Sequence, residues 1–226
     1  MYQLLQTTMR LNKFIALYTG ISRRKADELI EQGEVRVNRT SAHVGMKVTE
    51  NDSVIVAGSR VKPYKRATLT VLLNKPIGYV CSTDGQGSPS VYDLLQKRMM
   101  SLNIAGRLDK DSSGLVVLTN DGQLLQELTH PSYNKIKKYI VTLDQPLSTD
   151  EITLLQKGVD IGDERPSKMV VKKLPKDRLE VALQEGRNRQ IRRSFEAIGY
   201  EVTSLHRIQL AEYTVRNIEL KQFIEI

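Results

Sequence analysis

The feature that most constrains the fold is a short polar stretch at residues 61–68 (VKPYKRAT), which divides the 226-residue chain into two unlike parts. This stretch is basic and contains a proline, as is typical of a linker. Residues 1–66 carry twelve Lys or Arg against six Asp or Glu, whereas the other 160 residues contribute only +2 of the formal +8 charge. We therefore predict an N-terminal extension (1–9), a small basic domain (10–62), a linker (63–68) and a larger domain (69–226). The asymmetry suggests a module that binds a polyanion, although charge alone fits an ordinary basic domain equally well.

Composition excludes several classes of protein. The sequence has no apolar run of about 18 residues that would cross a membrane, and residues 1–9 lack the basic start and apolar centre of a secretory signal. Cys81 is the single cysteine, so no internal disulfide can form, which fits a reducing cytoplasm. The histidines His43, His130 and His206 are widely separated and have no cysteine neighbours, so the sequence predicts no metal site.

Two short amphipathic helices are predicted in the basic part. Leu11, Phe14, Ile15 and Tyr18 recur at helical spacing, and Gly20 ends the first helix. Ser22 is a suitable N-cap for a second helix, whose apolar residues are Ala26, Leu29 and Ile30.

The second of these helices begins with the sequence Arg23-Arg24-Lys25. Three cations at a helix N-terminus oppose the helix dipole, at a cost of some tenths of a kcal/mol each. This local disadvantage suggests that the charges serve another purpose. Short strands are predicted next, at residues 34–38 and 53–57.

Residues 10–62, with LNKFIALYTGISRRKADELIEQGEVRVN at their centre, resemble the S4 RNA-binding domain. The helix pair, the basic helix start and the G-x-V-x-V-N strand occur in the order typical of that family. The resemblance implies that the basic helix face contacts RNA phosphates, which set affinity rather than sequence choice. Carried over to this chain, the contacts are Arg10, Lys13, Arg23, Arg24 and Lys25.

The larger part alternates predicted strands and helices. Strands are indicated at residues 69–73, 114–119, 136–143 and 179–183, and helices at 90–95, 123–129 and 188–198. Ser148 and Glu151 have capping-box spacing, so another helix follows them. We therefore predict an α+β fold, in which helices flank a central, largely antiparallel mixed sheet.

The motif that points most directly to chemistry is residues 106–115 (GRLDKDSSGL), a polar loop before a buried strand. Asp109 lies between Arg107 and Lys110, cations that favour an ionised carboxylate able to act as a nucleophile or base. On the residues alone, an aspartate that forms a turn or a salt bridge is the better interpretation.

This motif resembles the catalytic loop of the pseudouridine synthases, which consists of GRLD, a polar pair and then Gly-Leu. The resemblance implies that Asp109 is the catalytic residue, that Arg107 binds substrate, and that Asp111 is a solvated loop residue. Together with the S4-like region, it points to the RsuA/RluB/RluE/RluF-type branch, which acts on ribosomal RNA. Only the first nine residues fall outside the resemblance.

Other parts of the sequence resemble further motifs of this family. Tyr139 matches a tyrosine that stacks on the target base, although a tyrosine packed in the core of a strand is the alternative. Arg192 matches an arginine that pairs with the catalytic aspartate, and Leu205 matches an apolar residue near the base. Arg187 and Arg189 are predicted phosphate contacts.

The reaction implied is the isomerisation of uridine, which is redox-neutral and requires no cofactor. The aspartate could add to the pyrimidine ring, attack the ribose or assist an elimination, and the sequence does not choose among these. We predict a monomer that acts on ribosomal RNA, naked or within an assembling particle, with 23S preferred over 16S.

Two other classes of function fit the sequence less well. A non-catalytic RNA-binding protein would not require a carboxylate facing a polyanion. A methyltransferase would need a glycine-rich cofactor loop after a strand, and residues 85–87 (GQG) lack the rest of such a motif.

Overall fold

The computed structural model describes residues 8–63 and 67–226. The chain divides into two compact units, Met1–Ala67 and Thr68–Ile226. This division falls within the predicted linker, of which residues 64–66 lie outside the described residues. Residues 1–7 of the predicted extension also lie outside them, whereas Met9 already belongs to the first strand.

The first unit pairs two helices with short antiparallel strands. Its elements are β1 (Met9–Arg10), α1 (Leu11–Thr19), α2 (Arg23–Glu31), β2 (Val35–Val37), β3 (Thr40–Ser41), β4 (Lys47–Val48), β5 (Val54–Val56) and β6 (Ser59–Arg60). Four of the strands form a sheet in the order β3-β2-β5-β6, and β1 pairs with β4.

Both N-terminal helices form as their sequence predicts. The four residues of α1 predicted to form its apolar face are buried, and Phe14 and Ile15 have no exposed surface. Gly20 ends α1 in the left-handed conformation, at a φ of 85°, which glycine adopts without strain. Ser22 caps α2, since its hydroxyl accepts a hydrogen bond from the backbone N–H of Lys25 at 3.1 Å. These predictions are confirmed.

The second unit is built on a nine-stranded sheet. Its strands are β7 (Thr70–Lys75), β8 (Asn103–Ala105), β9 (Ser113–Thr119), β10 (Lys137–Leu143), β11 (Val170–Leu174), β12 (Arg178–Leu183), β13 (Val202–Leu210), β14 (Tyr213–Thr214) and β15 (Phe223–Glu225). Seven of them follow the order β11-β12-β10-β13-β9-β7-β15, while β8 pairs with β9 and β14 pairs with β13. Its helices are α3 (Gly122–Thr129), α4 (Thr149–Lys157) and α5 (Gln190–Glu196).

The pairing of this sheet confirms the predicted α+β class and its largely antiparallel character. Among the described strands, β13 and β9 pair in parallel through His206–Ser113 and Arg207–Gly114, and the other pairs are antiparallel. The long β13 was not predicted. It pairs with β10 on one side and, on the other side, with β9, the strand that follows the GRLD motif.

Both faces of β7 and β9 are covered. In β7, Val71 and Leu73 face the larger core, whereas Leu72 faces a smaller one that includes Val117 and Leu128. This alternation of side chains between two cores explains why residues 71–73 of β7 and 115–118 of β9 are uninterrupted apolar runs.

Two predicted helices are shorter than expected. Residues 90–95 form a 3₁₀ turn, Val91–Leu94, capped by Ser90. The predicted helix 188–198 begins only at Gln190, because Arg189 has a left-handed backbone with a φ of 45°. The capping box of Ser148 and Glu151 is present at the start of α4, as predicted.

Candidate active site

The GRLD motif forms the connection between β8 and β9, and Asp109 lies within it. The backbone N–H of Ser112 donates to the carbonyl of Asp109 at 3.1 Å, and the N–H of Gly78 donates to the carbonyl of Lys110 at 2.8 Å. The N–H of Leu108 donates to Sγ of Cys81 at 3.4 Å. The loop is therefore tied to its surroundings through the backbone, which leaves the Asp109 side chain 40% exposed.

This loop borders a cavity of about 870 Å³ in the second unit. The cavity has the size of a small-molecule or nucleotide site. Six of the seven site residues predicted in this part of the chain line it: Arg107, Asp109, Tyr139, Arg187, Arg189 and Leu205. The motifs are far apart in the sequence, so it is the fold that brings these six together.

Tyr139 and Leu205 belong to neighbouring strands, β10 and β13. Tyr139 lies opposite Arg207, and Val141 lies opposite Leu205, so all four side chains face the same side of the sheet. Tyr139 is only 8% exposed and belongs to the main core, yet it also lines the cavity. Tyr139 is therefore packed in the core of the sheet and also borders the cavity.

The predicted ion pair between Arg192 and Asp109 is not found. The cation near Asp109 is instead Arg189, whose Nη1 lies 3.8 Å from Oδ2 of Asp109. Arg192 donates from Nη1 to the carbonyl of Val202 at 2.7 Å and from Nη2 to the carbonyl of Asp111 at 3.0 Å. These two backbone contacts fix its guanidinium beside Asp111, outside the cavity lining.

Asp111 was predicted to be a solvated loop residue, and its side chain is 46% exposed, but it is also paired with two arginines. Its carboxylate accepts hydrogen bonds from Nη1 and Nη2 of Arg189 at 3.2 and 3.0 Å, and Nε of Arg192 lies 3.2 Å away. Burial alone would raise the pKa of Asp111, but the hydrogen bonds and charges of the two arginines outweigh it and lower that pKa. Asp111 thus joins the loop to the start of α5.

Arg187 is held by protein groups. Its guanidinium contacts Asp163 at 3.3 Å, Glu185 at 2.6 Å and the carbonyl of Pro166 at 3.0 Å, and its side chain is 22% exposed. A phosphate would have to displace these partners, which argues against the predicted RNA contact. Arg189 has a 44% exposed side chain and remains accessible.

Two buried cations beneath the loop were missed. Lys75 has no exposed surface, and its Nζ donates to the carbonyls of Ser112 at 2.6 Å and Pro76 at 3.0 Å. Burial lowers the pKa of Lys75 and outweighs the opposite effects of Cys81, Asp111 and Asp109. Arg207 is 1% exposed and follows Leu205 by two residues on β13. The shared alternation with Leu205 was the signal that could have placed it on the cavity side.

In the first unit, the five cations predicted to bind RNA are all exposed: Arg10, Lys13, Arg23, Arg24 and Lys25. Nη2 of Arg23 donates to Asn12, whose amide donates in turn to Asp27 at 2.8 Å. Lys25 pairs with Glu28 at 2.9 Å, at a site that is about half exposed.

The part of the chain that the structure describes contains no cluster of three or more His, Cys, Asp or Glu arranged to hold a metal ion. It also contains no helix that is long and apolar enough to span a membrane.

Comparison with known proteins gives a family for each of the two units. Residues 69–197 match the RNA pseudouridylate synthase family, and residues 9–54 match the S4 domain. The chain is 37% identical to the dual-specificity RNA pseudouridine synthase RluF of Salmonella typhi over 99% of its own length and 77% of that protein. It is 36% identical to the ribosomal large subunit pseudouridine synthase B of Bacillus subtilis, over 92% of this chain and 88% of that one. A crystal structure of a pseudouridylate synthase superposes with a TM-score of 0.70 at 30% identity and covers 96% of both chains.

These matches define the class of protein as an enzyme that isomerises uridine to pseudouridine in RNA and carries an RNA-binding S4 domain. The chain belongs to the RNA pseudouridylate synthase family.

Proposed function

We propose that this enzyme converts a specific uridine of ribosomal RNA to pseudouridine, with the carboxylate of Asp109 as its catalytic group. The observation that carries the proposal is the position of Asp109, which is accessible in a cavity that Tyr139 and Leu205 also line. Both relatives described above are pseudouridine synthases, and the name of one specifies the large ribosomal subunit.

The chemistry requires no external reagent. The bond from ribose C1′ to N1 of the base breaks, the base rotates, and a bond from C1′ to C5 forms. C5 loses a proton and N1 gains one, so atoms and electrons balance without a cofactor. The protein must therefore flip the uridine out of the RNA stack, orient it and supply a carboxylate.

The side chains around the cavity divide this task. The ring of Tyr139 offers a face on which a flipped base can stack, and Leu205 on the adjacent strand provides apolar contact. Arg189, whose Nη1 lies 3.8 Å from Oδ2 of Asp109, places a positive charge beside this carboxylate. Arg107 borders the same cavity and is suited to a phosphate or a base oxygen. Arg192 acts indirectly, through Asp111.

The direct test is Asp109→Asn, which preserves the shape of the side chain and removes its charge. We expect pseudouridine formation in ribosomal RNA transcripts to be abolished, while RNA affinity changes less than about twofold, because phosphate contacts dominate affinity. The matched control is Asp177→Asn, in the exposed turn between β11 and β12. Turnover by Asp109→Asn close to that of the control would rule out the carboxylate as the catalytic group.

We propose that the S4 domain docks the enzyme on RNA through its exposed cations. Replacing Arg23, Arg24 and Lys25 by glutamine should weaken binding and reduce the slope of log affinity against log salt by about 0.7–0.9 for each lost phosphate contact. The control is the same replacement of three exposed lysines on the β11–β12 hairpin, Lys172, Lys173 and Lys176. Equal slopes for the two variants would show that the basic helix start does not contact RNA.

We further propose that a cytoplasmic, monomeric enzyme acts on 23S rather than 16S RNA, naked or within an assembling particle. The name of the Bacillus subtilis relative supports the large subunit. Pseudouridine should then disappear from one position of 23S RNA in cells lacking the protein. Loss from 16S RNA alone would contradict the preference. Purified enzyme added to naked RNA or to ribosomal particles from these cells should restore the missing pseudouridine in the form of RNA that is its substrate.

A further inference from the structure

Arg207 is the largest fully buried side chain among the described residues, and the proposed reaction leaves it without a role. It lies on β13 opposite Tyr139 on one side and Gly114 on the other. It also borders the cavity. Its strand lies between β10, which carries Tyr139, and β9, which follows the active-site loop, residues 106–115.

All the hydrogen bonds of this guanidinium go to the backbone of that loop. Nε donates to the carbonyl of Leu115 at 2.7 Å, and Nη2 donates to the carbonyl of Gly106 at 2.8 Å. Nη1 reaches the carbonyl of Arg107 at 3.4 Å. One planar group therefore joins the start of the loop to its end, and Asp109 lies between the two points.

The charge of Arg207 has no local carboxylate partner. The ion pairs within 4.0 Å in residues 8–63 and 67–226 involve other cations. Burial of an unpaired cation is unfavourable, and an apolar side chain would fill the same space in the sheet at lower cost. A planar donor with several fixed N–H groups is needed only if the carbonyls of the loop must be held.

We propose that Arg207 is a positioning residue, which joins both ends of the loop 106–115 and so holds Asp109 at the correct place beneath the target uridine. The inference rests on the proposed catalytic role of Asp109. Lys75 supports the same loop at a third point, the carbonyl of Ser112. Because Arg207 is buried, it does not bind RNA itself, and its loss acts on the rate of the chemical step.

The test compares Arg207→Met, which removes the donors, with Arg207→Lys, which can satisfy one carbonyl. We expect kcat for pseudouridine formation to fall about 100-fold for the methionine variant and about tenfold for the lysine variant, since a shift of about 1 Å at a reacting group has effects of this size. KM and RNA affinity should change less than about threefold. Amide hydrogen exchange of residues 107–112 should accelerate in both variants.

Leu155→Ala is the matched control, because Leu155 is fully buried in α4, which packs against the edge strand β11, three strands away from β13. It should lower the melting temperature without lowering kcat at a temperature where it is folded. If the arginine variants, like the control, keep the wild-type kcat at temperatures where they are folded, or if only KM rises, Arg207 is not a positioning residue. If Arg207→Met does not fold, Arg207→Lys decides the question, and wild-type kcat in that variant refutes the proposal.

The two proposals fail in different ways. An enzyme whose Asp109→Asn variant retains activity contradicts the catalytic assignment, whatever Arg207 does. Inactive Asp109→Asn together with fully active Arg207→Lys contradicts only the positioning role.

Discussion

Gly114 is the position at which one added methyl group tests the packing of the active-site loop most directly. It is the second residue of β9 and lies opposite Arg207 in the parallel pair of strands. A Cβ on Gly114 would lie 2.3 Å from the carbonyl oxygen of Arg207 and 2.5 Å from its nitrogen. Both atoms belong to the backbone of a central strand, so neither can move aside cheaply.

The magnitude follows from two separate penalties. A φ of 107° is a conformation that an alanine adopts only under strain, at about 1–3 kcal/mol. Forcing extra volume into a packed interior costs about 1–3 kcal/mol more. We therefore expect Gly114→Ala to lower the free energy of unfolding by about 2–6 kcal/mol, a large part of the roughly 5–15 kcal/mol typical of folded proteins.

Two other glycines separate these penalties. Gly199 also has a positive φ, 83°, but a Cβ added there would meet nothing within 4 Å, so Gly199→Ala measures backbone strain alone. Gly122 is the first residue of α3 and has no positive φ, and a Cβ added there would also meet nothing within 4 Å. Gly122→Ala should therefore stabilise the protein by up to about 1 kcal/mol. The assay is equilibrium denaturation of all three variants, with pseudouridine formation measured in parallel.

The reasoning requires Gly114→Ala to cost clearly more than Gly199→Ala. It also requires a loss of activity at temperatures where Gly114→Ala is still folded, because displacement of β9 from β13 moves the loop. Equal stability losses at the two glycines would show that β9 and β13 do not approach each other this closely in solution.

Two further predictions concern stability. His206 is partly buried with Nδ1 2.9 Å from Oγ of Ser113, and burial lowers its pKa below the ordinary 6.5, so the unfolded state takes up a proton first. The free energy of unfolding should then fall as the pH drops below about 6.5, by at most about 1.4 kcal/mol per pH unit, and His206→Gln should flatten this dependence in denaturation series. Ser148→Ala removes the capping box of α4 and should cost about 0.5–2 kcal/mol in the same assay, whereas an unchanged midpoint would mean that the cap is not formed in solution.

Local features of the fold could be predicted from the sequence because their causes are local. Gly20 ends α1, Ser22 caps α2 and Ser148 caps α4, and each acts within one turn of its own position. The strand β13 was missed because its apolar residues are interrupted by His206 and Arg207. Its pairing with β10 and β9, which is a long-range property, makes it a strand.

The candidate site shows the same difference between features with local causes and features that depend on long-range contacts. The motifs indicated six residues that line the cavity, since each motif has its own spacing, but not which arginine meets which carboxylate. Asp109 and Asp111 are two residues apart and compete for the same guanidinium groups. The choice depends on the left-handed backbone of Arg189 and on the carbonyl of Val202, which anchors Arg192.

Arg207 shows why a charged residue in a strand is the hardest part of such a site to predict. A cation within an alternating pattern ordinarily indicates the solvent side of a strand. Here the alternation places it on the cavity side with Leu205, and its charge is accommodated by three backbone carbonyls of the loop. A buried arginine of this kind therefore indicates a segment of backbone that must not move, and in this enzyme that segment carries Asp109.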